Sequence, residues 1–183
     1  MDDQRAALLK KKNGGRLHSH SIMMITQWKQ KIMDMLINDP ELTKLLAYNS
    51  RDALSRRDLT EDERYDLVDK NVLGTRYLPS VVKDQKSIVG IGISGFVPQE
   101  SWRQFSEKMI MGYVYFYILV DNEIMQTDTG YRQDLILARV YDLFQDSNFF
   151  GLGSLQEGNL TELWEQNNKF GGYTLMMRVV DTK

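Results

Sequence analysis

Residues 88–97 read IVGIGISGFV, and Gly90, Gly92 and Gly95 within them spell G-x-G-x-x-G. A dinucleotide-binding loop of that spelling follows a strand, opens a helix at its third glycine and has an acidic residue about twenty positions further on. Here Gly95 runs into Phe96-Val97-Pro98, and the first two glycines alternate with Val89, Ile91 and Ile93 at the period of a strand. The stretch is therefore predicted to be a β-strand over Ser87–Val97. Val89, Ile91, Ile93 and Val97 form its apolar face, and Gly90, Gly92 and Ser94 its smooth one. Glycine inside a strand costs about 0.5–1 kcal/mol relative to alanine. Two in alternation imply that something packs close to the smooth face, either a side chain of this chain or a neighbouring subunit, and no cofactor is expected there.

Working outward, Met109–Val120 is a twelve-residue run of strand formers whose faces separate cleanly. Val114, Phe116, Ile118 and Val120 lie on one side, and Tyr113, Tyr115 and Tyr117 on the other. The stretch TGYRQDLILARVYDLF, residues 129–144, has an apolar stripe of Leu135, Ile136, Val140, Leu143 and Phe144 at helical spacing. Arg132, Asp134, Arg139 and Asp142 are expected outside. After FFGLGSLQEGN, read as a loop, and a short TELWEQ turn, Gly172–Val180 is predicted as a last strand. Towards the N-terminus, Ile25, Trp28, Ile32, Met35 and Leu36 mark an amphipathic helix over about 22–37. Asn38-Asp39-Pro40 ends it, and Asp39 can cap a second helix whose buried side is Leu42, Leu45 and Leu46. The order of elements predicts an α+β domain, a mostly antiparallel sheet covered by helices on one face.

Two segments stand apart. Residues 1–21 hold Arg5, Lys10, Lys11, Lys12 and Arg16 against Asp2 and Asp3, broken by Asn13-Gly14-Gly15, and are read as a basic arm preceding a single domain over 22–183. Residues 50–86 are strongly charged and poor in apolar anchors. A Thr60…Glu63 capping box there predicts a helix to about Lys70, and the segment is read as a partner-facing insertion.

Composition narrows the chemistry. The chain has 183 residues and a formal net charge of −2, so no global field draws it to nucleic acid or to an anionic membrane. It has no cysteine, which excludes disulfides, thiolate metal sites and cysteine nucleophiles. No signal peptide and no membrane span is read in it. His18 and His20 are its two histidines. With no clustered third ligand they predict no metal site, and an arm is a poor place to fix a Ser-His-Asp relay. Glu61, Asp62 and Glu63 read as a solvated face, so no catalytic residues are assigned. Tyr113, Tyr115 and Tyr117 resemble a stacking platform for single-stranded nucleic acid. Asp121, Asn122 and Glu123 beside them are not the basic groove such platforms use, and packing under a helix or into a subunit interface is expected instead.

The helix carrying Asn38-Asp39-Pro40-Glu41-Leu42, the aromatic strand GYVYFYILVDN, the helix TGYRQDLILARVYDLF and the final strand FGGYTLMMRVV together resemble the tail terminator, or tail completion, proteins of tailed bacteriophages. The likeness is one of element order and texture over about two thirds of the chain. It implies a small α+β subunit forming a ring, normally a hexamer. That ring ends polymerisation of the tail tube and presents a surface to the head-completion or connector protein. The partners implied are copies of itself, the tail tube protein, the connector, and genome DNA passing through the lumen without sequence-specific binding; no membrane, metal or cofactor is implied. Gly90, Gly92, Tyr113, Tyr115, Tyr117, Lys10, Lys11, Lys12 and Arg16 are the candidate subunit or partner interface. Another neck or baseplate component, or a single-strand-binding accessory domain, are the alternatives.

Overall fold

A computed structural model describes residues 18–76, 83–98, 109–147, 155–165 and 169–182. At its centre lies the aromatic strand β3, Met109–Asp121, whose Val114, Phe116, Ile118 and Val120 are fully buried. Two long strands flank it antiparallel, β2 (Ser87–Pro98) and β7 (Phe170–Thr182). Ile91, Phe116 and Leu175 form one cross-strand row, and Ile93, Val114 and Met177 the next, so the apolar side chains of three strands stack on one face. Short β1 (Val72–Leu73) runs parallel to β2, and β6 (Gln156–Glu165) antiparallel to β7. The order is β1-β2-β3-β7-β6. This is an α+β fold with a mixed, mostly antiparallel five-stranded sheet.

Three helices cover the apolar face. From α1 (His18–Asn38) come Trp28, Ile32, Leu36 and Ile37; from α2 (Pro40–Ala47), Leu42, Leu45 and Leu46; from α4 (Arg132–Phe144), Ile136, Val140 and Phe144. Phe144 stacks on Phe116 with ring centroids 4.7 Å apart. Full burial of each such side chain is worth roughly 1.5–3 kcal/mol, and these stripes repeat at the spacing that the sequence shows. α1 begins at His18, so residues 18–21 belong to the helix and not to an arm. The corner to α2 is built as predicted: Asp39 Oδ1 accepts from the Leu42 amide at 2.7 Å, with Pro40 in the first turn.

Arg132 and Arg139 were predicted on the outer face of α4, and Arg132 is instead fully buried. Its Nε donates to the Ile124 carbonyl at 2.9 Å, Nη1 to Leu45 and Tyr48 at 2.9 and 2.6 Å, and Nη2 to Ser50 at 2.8 Å. The Leu45 and Tyr48 carbonyls lie at the C-terminal end of α2, where the helix dipole favours a cation and the last carbonyls lack intrahelical partners. Burial pushes the Arg132 guanidinium below its usual pKa, and it still carries its charge at neutral pH. Two turns on, Arg139 is half-buried and pairs with the buried Asp39 at the other end of α2, and with Glu41 at 3.4 Å. The Asp39 hydrogen bond holds Arg139 above its ordinary pKa. One helix thus grips both ends of another.

The charged segment packs onto the domain over its described residues. Ala53, Leu67, Val72 and Leu73 are buried. Asn71 Nδ2 donates to the Leu46 carbonyl at 3.0 Å and to Ser87 at 2.8 Å, while its own carbonyl accepts from Val89. Asn71 thereby ties α2 to β2. The capping box is present at Thr60 and Glu63, but α3 spans only Glu61–Tyr65, because the chain then turns to deliver Val72 and Leu73 to the sheet edge. The predicted loop and turn at 156–165 are strand β6. Its alternation is hidden from a sequence reading because an edge strand buries little on either face, and because a bulge lies between Glu157 and Asn159. A two-stranded hairpin, β4 (Gln126–Thr127) with β5 (Gly130–Tyr131), precedes α4.

Two expectations follow from close contacts. A Cβ on Gly172 would stand 2.0 Å from the Ile118 carbonyl oxygen, whereas on Gly92 it would meet only the end of the Tyr117 ring, at 2.9 Å. Backbone cannot yield as a ring can, so in urea denaturation Gly172→Ala is expected to cost about 3 kcal/mol or more and Gly92→Ala less than about 1. The second concerns Glu63, where hydrogen bonds from Arg57 and then from the Thr60 amide hold the carboxyl at about 2, against 4.5. A lowered folded-state value stabilises above the unfolded value and is lost as pH falls through the folded one. The α3 cap is thus expected to persist at pH 4 and loosen towards pH 2, read from the Glu63 carboxyl carbon shift in an NMR titration.

Candidate functional site

The sheet face opposite the helices carries Gly90, Gly92 and Ser94 on β2, Tyr113, Tyr115 and Tyr117 on β3, and Thr174, Met176 and Arg178 on β7. The strand period places them there, because Val114, Phe116 and Ile118 take the core side. All three tyrosines are half-buried, and they do not pack under a helix as expected, because the described helices pack on the face of Val114, Phe116 and Ile118. Tyr115 and Tyr117 stack with centroids 6.1 Å apart at 13°, and Tyr113 tilts against Tyr115 at 6.5 Å. Ser94 Oγ donates to the Tyr115 hydroxyl at 3.3 Å.

The glycines have their explanation in this geometry. The Tyr117 ring reaches diagonally across Gly92, and the Thr75 carbonyl lies over Gly90, 2.8 Å from where a Cβ would stand. Packing within the subunit therefore accounts for the smooth face. Gly95 lies inside β2, which continues as strand to Pro98, so no helix opens at the third glycine and the G-x-G-x-x-G spelling does not form a phosphate loop. A further close approach is made by the Met176 methyl against Gly158 at the β6 bulge.

One end of this face is closed. Leu73, Ile88, Leu119 and Phe170 are buried there, with Leu163 packed against them. The Lys169 ammonium lies 5.6 Å from the Phe170 ring centroid and 3.5 Å from the Asp121 carboxylate. Towards the other end, Tyr113–Tyr117 and their neighbours form an aromatic and methionine surface. The six positions beside the tyrosines include one cation, Arg178, which donates to Gln156 at 3.2 Å. Tyr173, on the helix side, bonds to Asp134 at 2.9 Å, and this bond holds its hydroxyl above its usual pKa.

Gly90, Gly92, Tyr113, Tyr115 and Tyr117 are thus brought together. Lys10, Lys11, Lys12 and Arg16 lie outside the described residues. Sequence reasoning missed Met176, Arg178 and Gly158; the alternation of Thr174, Met176 and Arg178 could have placed the first two. Among the described residues no group of three or more His, Asp or Glu is placed to hold a metal ion. No described helix is long and apolar enough to cross a membrane, which says nothing of strands.

What the fold and this surface define is a small α+β domain with one helix-covered sheet face and one aromatic face. The profile of the YomW family matches residues 39–179, from the α2 cap through most of β7. The chain belongs to the YomW family. No curated protein and no solved structure matches it.

The Gly92 α-proton that points to this face meets the edge of the Tyr117 ring, at Cε2 and the hydroxyl, and a ring edge deshields. In the NMR spectrum this proton is expected downfield of ordinary strand glycines and should return to the usual range in Tyr117→Leu; unchanged shifts would place the ring elsewhere.

Proposed function

We propose that the chain is a structural virion subunit. In this reading it forms a ring, normally a hexamer, at the head-proximal end of a phage tail tube, ends tube polymerisation and joins the tail to the head connector. The observation that carries the reading is the half-buried tyrosine row on a sheet face with every described α-helix that packs on the sheet lying on the other side. Aromatic surface of this kind marks interaction sites, and tyrosine serves well where one end of a ring is apolar and the other meets water. The resemblance of element order to tail terminator proteins supplies the class.

The partners are copies of itself, the tail tube protein and the connector or head-completion protein, with genome DNA in the lumen. A net charge of −2 suits DNA that passes without being held, since tight phosphate binding needs several uncompensated cations. Residues 50–76 pack on the domain through one side and present charged side chains on the other, a surface suited to an adjacent ring.

The test is to add the purified protein to growing tail tubes and image them by negative stain. Tubes that stop at shorter length with a ring at one end are expected; unchanged lengths and bare ends would overturn the reading. A second reading has one observation in its favour, the 6.1 Å stacked pair Tyr115–Tyr117, which resembles a base-stacking platform. It requires salt-dependent binding of single-stranded oligonucleotides, weakened by Tyr115→Ala by about 1–3 kcal/mol.

A further inference from the structure

Both sides of the sheet end in strands whose outer flanks have no described partner. On β6 this holds along the whole strand. Gln156, Gly158, Asn159, Leu160, Thr161 and Glu162 are all exposed, and Leu160 is one of three large apolar side chains exposed among the described residues. On the opposite side β1 pairs with β2 only at Val89 and Gly90. The chain then leaves the edge and passes over the aromatic face, where the Thr75 carbonyl lies above Gly90. Among the described residues nothing pairs with the outer flank of β2 from Ile91 to Pro98, and its ladder donors and acceptors need a strand or water.

The two flanks match in direction. β2, β3, β7 and β6 alternate antiparallel, so β6 runs opposite to β2. A second copy placed beside the first, with its strands pointing the same way, sets its β6 antiparallel to the first copy's β2. The sheet then continues across the seam, with helices on one side and tyrosines on the other. Charge decides between this and a two-fold pairing of β6 with β6. The strand QEGNLTELWE holds three glutamates and no lysine or arginine, while Ser87–Pro98 holds no charged residue at all. A two-fold pairing brings two acidic strands together, and like charges across a strand pair are destabilising; β6 against β2 does not.

We infer that the outer flank of β6 pairs antiparallel with the outer flank of β2, Ile91–Pro98, in a second copy of this chain. Such a contact is heterologous: each copy uses one edge to give and the other to receive, and repetition makes a ring where the rotation closes. Bulges between Gly95 and Val97 and between Glu157 and Asn159 confine the regular pairing to Ile91–Ser94 and Asn159–Glu165. Closure into a ring rests on the proposed function; the edge pairing does not.

The absence of cysteine makes the test clean. Ser94→Cys and Thr161→Cys both alter exposed residues on the aromatic face. The two single variants are mixed and treated with a short bismaleimide, with and without tail tubes. Cross-linked dimer is expected in the mixture and not in either variant alone, and a ladder of multimers in the double variant. Cross-linking of Thr161→Cys alone to the extent of the mixture would overturn the inference in favour of two-fold pairing. Failure of the mixture to cross-link with or without tubes would overturn it outright. Mixed cross-linking with unchanged tube growth keeps the pairing and overturns the tube-end role; capped tubes without the mixed cross-link do the reverse.

Discussion

The guanidinium of Arg132 is the contact on which the helical layer depends. Four of its five N–H donors meet backbone carbonyls of Leu45, Tyr48, Ser50 and Ile124, groups drawn from the end of α2, the connection after it and the turn before α4. Arginine alone offers five donors in a fixed planar fork. A buried cation without a carboxylate close by is costly, and here the carbonyl dipoles and the C-terminal end of α2 compensate it. The same four carbonyls would themselves be left without donors if the side chain were removed. With Arg139 on Asp39, both ends of α2 are fixed to α4, and α2 fixes Asn71 and hence the start of the sheet.

This clamp gives the domain two unlike sides. Trp28, Leu36, Leu45, Ile136 and Phe144 are committed to the core and packed against Val89, Phe116 and Leu175. Among the described residues the large apolar side chains left exposed are Tyr65, Tyr131 and the edge-strand Leu160, none of them in the tyrosine row. The tyrosine row and the two edge flanks lie on the other side or at the margins, and they can engage other chains without disturbing the clamp. The proposed ring uses only those surfaces.

The central fold was legible because its signals are local and repeated. The alternation of Met109–Val120, the helical stripe of 135–144 and the Asn38-Asp39-Pro40 corner each state their structure within a dozen residues. The glycines of β2 were placed correctly on a strand for the same reason, although what lies over them, Tyr117 and Thr75, is a matter of tertiary placement. Strand β6 was not legible, since an exposed edge strand leaves no apolar period. Nor was β1, whose Val72 and Leu73 look equally like a helix face. Arg132 was the largest miss: a cation on a helical wheel reads as solvent-facing, and nothing local announces four carbonyls 82 to 87 residues away and at Ile124. The aromatic face was half legible, its β3 column from alternation and its Met176 and Arg178 column only from register.

The central claim is that the Arg132 clamp holds the helices on the sheet. Its most direct measurement is equilibrium urea unfolding of Arg132→Met, which keeps much of the stem and removes every donor, alongside Arg132→Lys. The expected result is a loss of about 3–5 kcal/mol for methionine, only partly recovered by lysine, whose single ammonium cannot span the four carbonyls. A loss within about 0.5 kcal/mol, the range of an ordinary surface substitution, would contradict it.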